Sequence, residues 1–175
     1  MRGPLLSGPV GSRVALERVC QIVRPRGPAV VLSALWLAER LATQFPVTVL
    51  IEPEKRRGAR RAVRRASRDG QRLMVVAATG ELPVVGQGAG CVVIENMSEI
   101  ENDAEAAAFL VRLAPKLRPD GLLLALDATK NPTIQARLAG LFLAASLSGI
   151  VQEHPREGAL LTIGSPAPAA VLAAR

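Results

Sequence analysis

Residues 91–127 read CVVIENMSEIENDAEAAAFLVRLAPKLRPDGLLLALD. Cys91-Val92-Val93-Ile94 is a short, continuous apolar run that stops at Glu95-Asn96. An unbroken run of this length suits a strand buried on both faces of a parallel sheet. Apolar residues at helical spacing then predict a helix over Asp103–Leu117, with Asp103 as its N-cap. Pro119-Asp120-Gly121 is turn chemistry. Leu122–Leu126 is again a strand, and it ends on Asp127. Strand, helix and strand in this order make a βαβ unit.

The same alternation extends in both directions. Val14–Val23 follows helical spacing up to Arg24-Pro25. Gly27-Pro28 introduces Ala29-Val30-Val31-Leu32 as a first strand. Leu35–Phe45 is a helix stopped by Pro46, and Val47–Ile51 is a second strand ending on Glu52. A basic helix runs from Pro53 to Asp69-Gly70, and Arg72–Ala78 is a third strand. Gly80–Gly90 reads as a loop. Its glycine-rich end, Gly86-Gln87-Gly88-Ala89-Gly90, precedes a strand and not a helix, which favours a flexible loop over a phosphate cradle. After Asp127 come a helix over Asn131–Leu147 and strands over Ile150–His154 and Ala159–Ile163. The prediction is one α/β domain over residues 14–165, with a mostly parallel seven-stranded sheet flanked by helices. An N-terminal arm (1–13) and a C-terminal tail (166–175) complete it. Ligands of such sheets bind beyond the carboxyl ends of the strands. The polar residues there are Ser33, Glu52, Thr79, Glu95, Asn96, Asp127 and Thr129.

Composition narrows the function classes. Of 175 residues, 49% are hydrophobic but only 2% aromatic, so the core must be built from Ala, Val, Leu and Ile. The formal charge of +7 first suggests a nucleic-acid or anionic-membrane binder. Yet Lys55, Arg56, Arg57, Arg60, Arg61, Arg64, Arg65 and Arg68 lie in one acid-free segment, and without them the chain is nearly neutral. Two cysteines, Cys20 and Cys91, cannot form a disulfide framework, and no Cys/His cluster suits zinc. The N-terminus lacks the apolar core of a signal peptide, and no uncharged run reaches the roughly 20 residues of a membrane span. A soluble cytoplasmic protein is expected.

Several stretches resemble the class I S-adenosylmethionine-dependent methyltransferases. Glu52 stands at the end of the second strand, where that family has an acid for the cofactor ribose. Gly80-Glu81-Leu82-Pro83 is similar to the segment after its third strand. Val92–Ile100 resembles the fourth strand and the turn after it. Leu113–Gly121 followed by Leu122-Leu123-Leu124 resembles its helix, turn and fifth strand. The resemblance covers about residues 14–165. It implies a Rossmann-like fold and S-adenosylmethionine as cofactor, with Glu52 on the ribose and Ser33, Thr79 and Glu95 lining the site. The cofactor loop is degenerate. The family's first strand leads into a Gly-rich D/E-x-G-x-G loop, whereas residues 30–40 contain no glycine, and Leu35 and Trp36 would occupy cofactor space.

No other chemistry emerges. His154 is the only histidine and reads as structural or solvated, and there is no G-x-S-x-G elbow and no phosphate-loop motif. Two functions follow. One is a diverged methyltransferase of unknown acceptor, catalytically active or not. The other is a non-catalytic interaction or assembly module. It would use the arginines from Arg56 to Arg68 to bind an acidic protein or nucleic acid, with self-association through the acidic stretch Glu95–Glu105 as a variant. No aromatic residue interleaves with these arginines to stack on bases. The apolar face of Ala59, Ala62, Val63 and Ala66 suits packing on a sheet, not membrane insertion.

Overall fold

A computed structural model describes residues 9–26, 28–32, 35–51, 56–77, 88–156 and 158–167. The elements, in chain order, are α1 (Pro9–Val23), β1 (Ala29–Leu32), α2 (Leu35–Ala42), β2 (Val47–Ile51), α3 (Arg56–Arg68), β3 (Leu73–Ala77), β4 (Ala89–Glu95), α4 (Asp103–Leu113), β5 (Leu117–Asp127), α5 (Pro132–Ala144), β6 (Ser148–Arg156) and β7 (Ala159–Ser165). The seven strands form one sheet in the order β3-β2-β1-β4-β5-β7-β6. β1 to β5 run parallel, and β7 is antiparallel to both β5 and β6. The strand order reverses between β1 and β4, which makes that crevice the topological switch.

Both faces of the sheet are covered, which is why the strands read as unbroken apolar runs. Val31, Val49, Val93, Leu122 and Leu124 pack on one face against residues of α1, α2 and α3. Val30, Leu50, Val92, Leu123 and Ala125 pack on the other against residues of α4 and α5. The side-chain period of two assigns alternate residues to the two layers. Each fully buried Leu or Phe contributes on the order of 2–3 kcal/mol of transfer free energy. Leu110, Leu122, Leu123, Leu124, Leu138 and Phe142 are all fully buried.

The differences from the expected elements have local causes. α1 starts at Pro9, so the end of the expected arm is already helical. The N-cap of α4 is Asn102 and not Asp103: the Asn102 carboxamide oxygen accepts from the N–H groups of Ala104 (2.9 Å) and Glu105 (3.3 Å). The helix stops at Leu113, where Pro115 forces a 3-10 turn over Ala114–Lys116. The Pro119-Asp120-Gly121 turn is absorbed into β5 as a bulge. Ala89 pairs with Leu117, but Cys91 already pairs with Leu122. The glycine-rich loop also contracts, because Ala89 and Gly90 belong to β4. Among the described residues no helix is long and apolar enough to cross a membrane.

Candidate functional site

Register brings the carboxyl ends of the central strands to one level. Leu32 of β1 pairs with Ile94 of β4, and Glu95 pairs with Leu126 of β5. Only Ser33 and Ala34 separate the end of β1 from the start of α2. Trp36, half-buried, therefore stands in the first turn of α2 directly after the strand. Its indole N–H donates to the Glu95 carboxylate, 3.1 Å from Oε1 and 3.0 Å from Oε2. The pair bridges β1–α2 and β4 across the switch point. Burial pushes the Glu95 carboxyl up. The indole N–H opposes this, and the charges of Glu99 and Asp127 add to it.

Asp127, at the end of β5, is fully buried. Its Oδ1 accepts from the Ser98 N–H at 2.6 Å, while Oδ2 has no hydrogen-bond partner among the described residues. Arg137 of α5 fixes the turn that carries Ser98. It donates to the carbonyl oxygens of Ser98 (3.2 Å) and Ile100, and to Asp103 at 2.5 Å. Burial pushes the Asp127 carboxyl up, against the hydrogen bonds from Ser98, and Glu99 pushes the same way as burial.

A carboxyl raised by folding keeps a proton that the unfolded chain has released. The folded state then binds more protons, so its stability falls as pH rises from the ordinary carboxylate range through the raised one. Asp127→Asn keeps an oxygen for Ser98 and removes the charge. It is expected to leave stability at neutral pH unchanged or higher, and to flatten the fall from acidic to neutral pH in urea unfolding. A steeper fall would contradict this account of Asp127.

Of the residues expected to line a cofactor site, Glu95 lies at the switch point, whereas Ser33, Glu52 and Thr79 lie outside the described residues. Asn96 and Thr129 have structural work. Asn96 takes a left-handed conformation (φ 57°) before the 3-10 turn Met97–Glu99, and the Thr129 hydroxyl accepts from the Asn131 N–H at 3.0 Å. Arg57, Arg60, Arg61, Arg64, Arg65 and Arg68 are exposed along α3 over buried Ala59, Ala62 and Ala66. Arg56 is in the helix, with its side chain outside the described set. Arg65 pairs with Glu39 at 2.6 Å, an exposed contact of little energetic weight. Both cysteines are buried, and burial pushes the Cys91 thiol up to about 12, so it is no nucleophile. No group of three or more His, Cys, Asp or Glu among the described residues could hold a metal ion. The sequence singled out Trp36 and Glu95 separately. Their pairing was not legible, because it depends on the register between β1 and β4.

No protein-family model and no curated protein sequence matches the chain. Solved structures do. An O-methyltransferase family protein from Burkholderia thailandensis superposes with a TM-score of 0.69 at 17% identity, over 89% of this chain and 57% of that one. The O-methyltransferase NcsB1 of neocarzinostatin biosynthesis, in complex with S-adenosylmethionine and 2-hydroxy-5-methyl naphthoic acid, gives 0.69 at 20% identity, over 89% and 55%. Human N-acetylserotonin methyltransferase, in complex with S-adenosylmethionine, gives 0.72 at 12% identity, over 90% and 52%. The chain thus has the class I methyltransferase fold and spans little more than half the length of these proteins. Among the described residues of the crevice, the Trp36 indole is engaged with Glu95.

Proposed function

We propose that this chain is a methyltransferase-fold protein that has lost methyl transfer and works as a non-catalytic interaction module, offering the arginine face of α3 to an anionic partner. The observation that carries this reading is the Trp36–Glu95 pair at the switch point, where S-adenosylmethionine would need open space and close backbone approach. The exposed arginines supply a surface with forked donors suited to carboxylate and phosphate. The proposed setting is the cytoplasm, where both buried thiols stay reduced.

The competing reading is weak S-adenosylmethionine-dependent transfer, with Glu52 on the ribose and Ser33, Thr79 and Glu95 around the cofactor. It is favoured by the solved structures of this fold that hold the cofactor. Thermal unfolding separates the two. A ligand at a hundred times its dissociation constant stabilises the folded state by about 2.7 kcal/mol. The melting temperature is expected to stay put with millimolar S-adenosylmethionine or S-adenosylhomocysteine, and Glu52→Ala is expected to change nothing in that comparison. A ligand-dependent rise that Glu52→Ala removes would establish the competing reading instead.

A further inference from the structure

α4 and α5 lie side by side in the layer over one face of the sheet. β5 and β6 both pair antiparallel with β7, so they run parallel to each other, as β4 and β5 do. Both helices therefore connect parallel strands and point the same way. Their inner sides are core: Ala106, Leu110 and Leu113 of α4, and Leu138, Leu141 and Phe142 of α5, are buried. Their outer sides are unusual. The exposed positions of α5 are Pro132, Thr133, Ala136, Gly140, Leu143 and Ala144, and none is charged. Arg137, its one charged residue, is half-buried and turned to Ser98, Ile100 and Asp103. An outer helix ordinarily has a polar face, and a helix apolar all round is a buried one. On α4 the exposed Ala104, Ala108 and Val111 extend the same surface. Leu143 is 61% exposed and Val111 49%, two of the three large apolar side chains left open among the described residues.

The charges at the rim of this surface match themselves. Glu105 and Arg112 are both exposed on α4, with Ala108 between them. They lie two turns apart on one side of the helix, about 10 Å along its axis. Neither side chain has an ion pair or hydrogen bond among the described residues. A second α4 laid antiparallel, with a twofold axis crossing between Ala108 and Phe109, sets Glu105 against Arg112 twice over. One acid and one base at mirrored positions is what an isologous contact requires. The Asp103–Arg137 ion pair aligns the two helices. Helical side chains lean toward the N-terminus, so Asp103 is level with the turn before Arg137, and the same axis meets α5 near Gly140. A Cβ at Gly140 would meet nothing within 4 Å, so packing inside the chain does not call for glycine there. A second helix crossing at that point does, because glycine lets two backbones come close.

We propose that the outer face of α4 and α5 docks onto the same face of a second copy of this chain, forming a twofold four-helix contact. Leu143, Val111 and the small residues around them make its apolar centre, and the two Glu105–Arg112 pairs its rim. By rise per residue the helices are about 17 and 20 Å long, which gives a footprint of about 400 Å². A standard interface buries roughly 800 Å² a side, so this dimer is a weak, reversible one. The contact is independent of the arginine face of α3 and of the methyl-donor crevice, since α3 covers the other side of the sheet.

Sedimentation velocity of the full chain, from about 10 μM to about 1 mM, tests the contact in the range expected of a small interface. A concentration-dependent equilibrium between monomer and dimer is expected. Leu143→Arg should weaken it at least about tenfold. Glu105→Arg and Arg112→Glu should each weaken it about fivefold or more, because each sets like charges together twice in the dimer. The double variant carrying both substitutions restores opposite charges and should return to within about threefold of the wild type. That recovery cannot come from misfolding, since the double variant contains both single changes. Reversal of Arg57, Arg61 and Arg64 to Glu should leave the equilibrium in place. A monomer throughout the range, a dimer indifferent to Leu143→Arg, a double variant no better than the singles, or a dimer lost on reversing the three arginines would overturn the proposal.

Discussion

Gly90→Ala is expected to destabilise the protein by about 3 kcal/mol or more, the upper range for forced overpacking. A Cβ at Gly90 would lie 1.9 Å from the Arg26 carbonyl oxygen and 2.8 Å from its carbonyl carbon. Both are backbone atoms, so no side-chain rotation relieves the clash. The approach is close because the Arg24–Arg26 turn sits on the start of β4, where Arg118 also donates to the Arg26 carbonyl oxygen at 2.6 Å. That contact helps to seat β1 beside β4, and the register of these two strands brings Trp36 to Glu95. Gly58→Ala is the counterpart. A Cβ there meets nothing within 4 Å, and Gly58 is exposed inside α3. It should gain about 0.5–1 kcal/mol. Urea unfolding at constant slope measures both. A loss under about 1 kcal/mol at Gly90 would mean that the turn and β4 are not packed as described.

Reversing Arg57, Arg61 and Arg64 to Glu is expected to abolish retention on heparin, a polyanionic probe, with affinity falling on the order of a hundredfold or more. Each reversal removes two units of charge, and three take the formal charge from +7 to +1. The loss is also local. α3 is about 18 Å long by its rise per residue, and these side chains lie on its exposed side. The helix itself should survive, since Ala59, Ala62 and Ala66 make the buried contacts and Glu is a good helix former. Wild-type retention should fall steeply with salt. Unchanged retention in the triple variant would remove the arginine face from the proposed function.

The fold was legible where burial writes itself into composition. Val30–Leu32, Val47–Ile51, Val92–Ile94 and Leu122–Leu126 are unbroken apolar runs because helices cover both faces of the sheet. Element ends were less legible, because caps and bulges depend on single contacts. Asn102 took the capping role from Asp103, and the Pro119-Asp120-Gly121 turn became a bulge within β5. Gly90 misled for a related reason. A glycine demanded by close packing looks like a glycine in a flexible loop until the opposing backbone is seen. At the candidate site the glycine-free stretch after β1 and the bulk of Trp36 were visible as departures from the methyltransferase pattern. The hydrogen bond to Glu95 was not, because it arises from residues far apart in the chain that the sheet brings together.

Trp36 is the single tryptophan of the chain and stands in the crevice itself, so its fluorescence reports directly on whether the crevice takes up the cofactor. Titrating the full chain with S-adenosylhomocysteine into the millimolar range should leave emission intensity and wavelength unchanged after inner-filter correction. A saturable change in Trp36 emission that Glu52→Ala abolishes would show that the crevice still accepts the cofactor, and would contradict the loss of methyl transfer proposed for this chain.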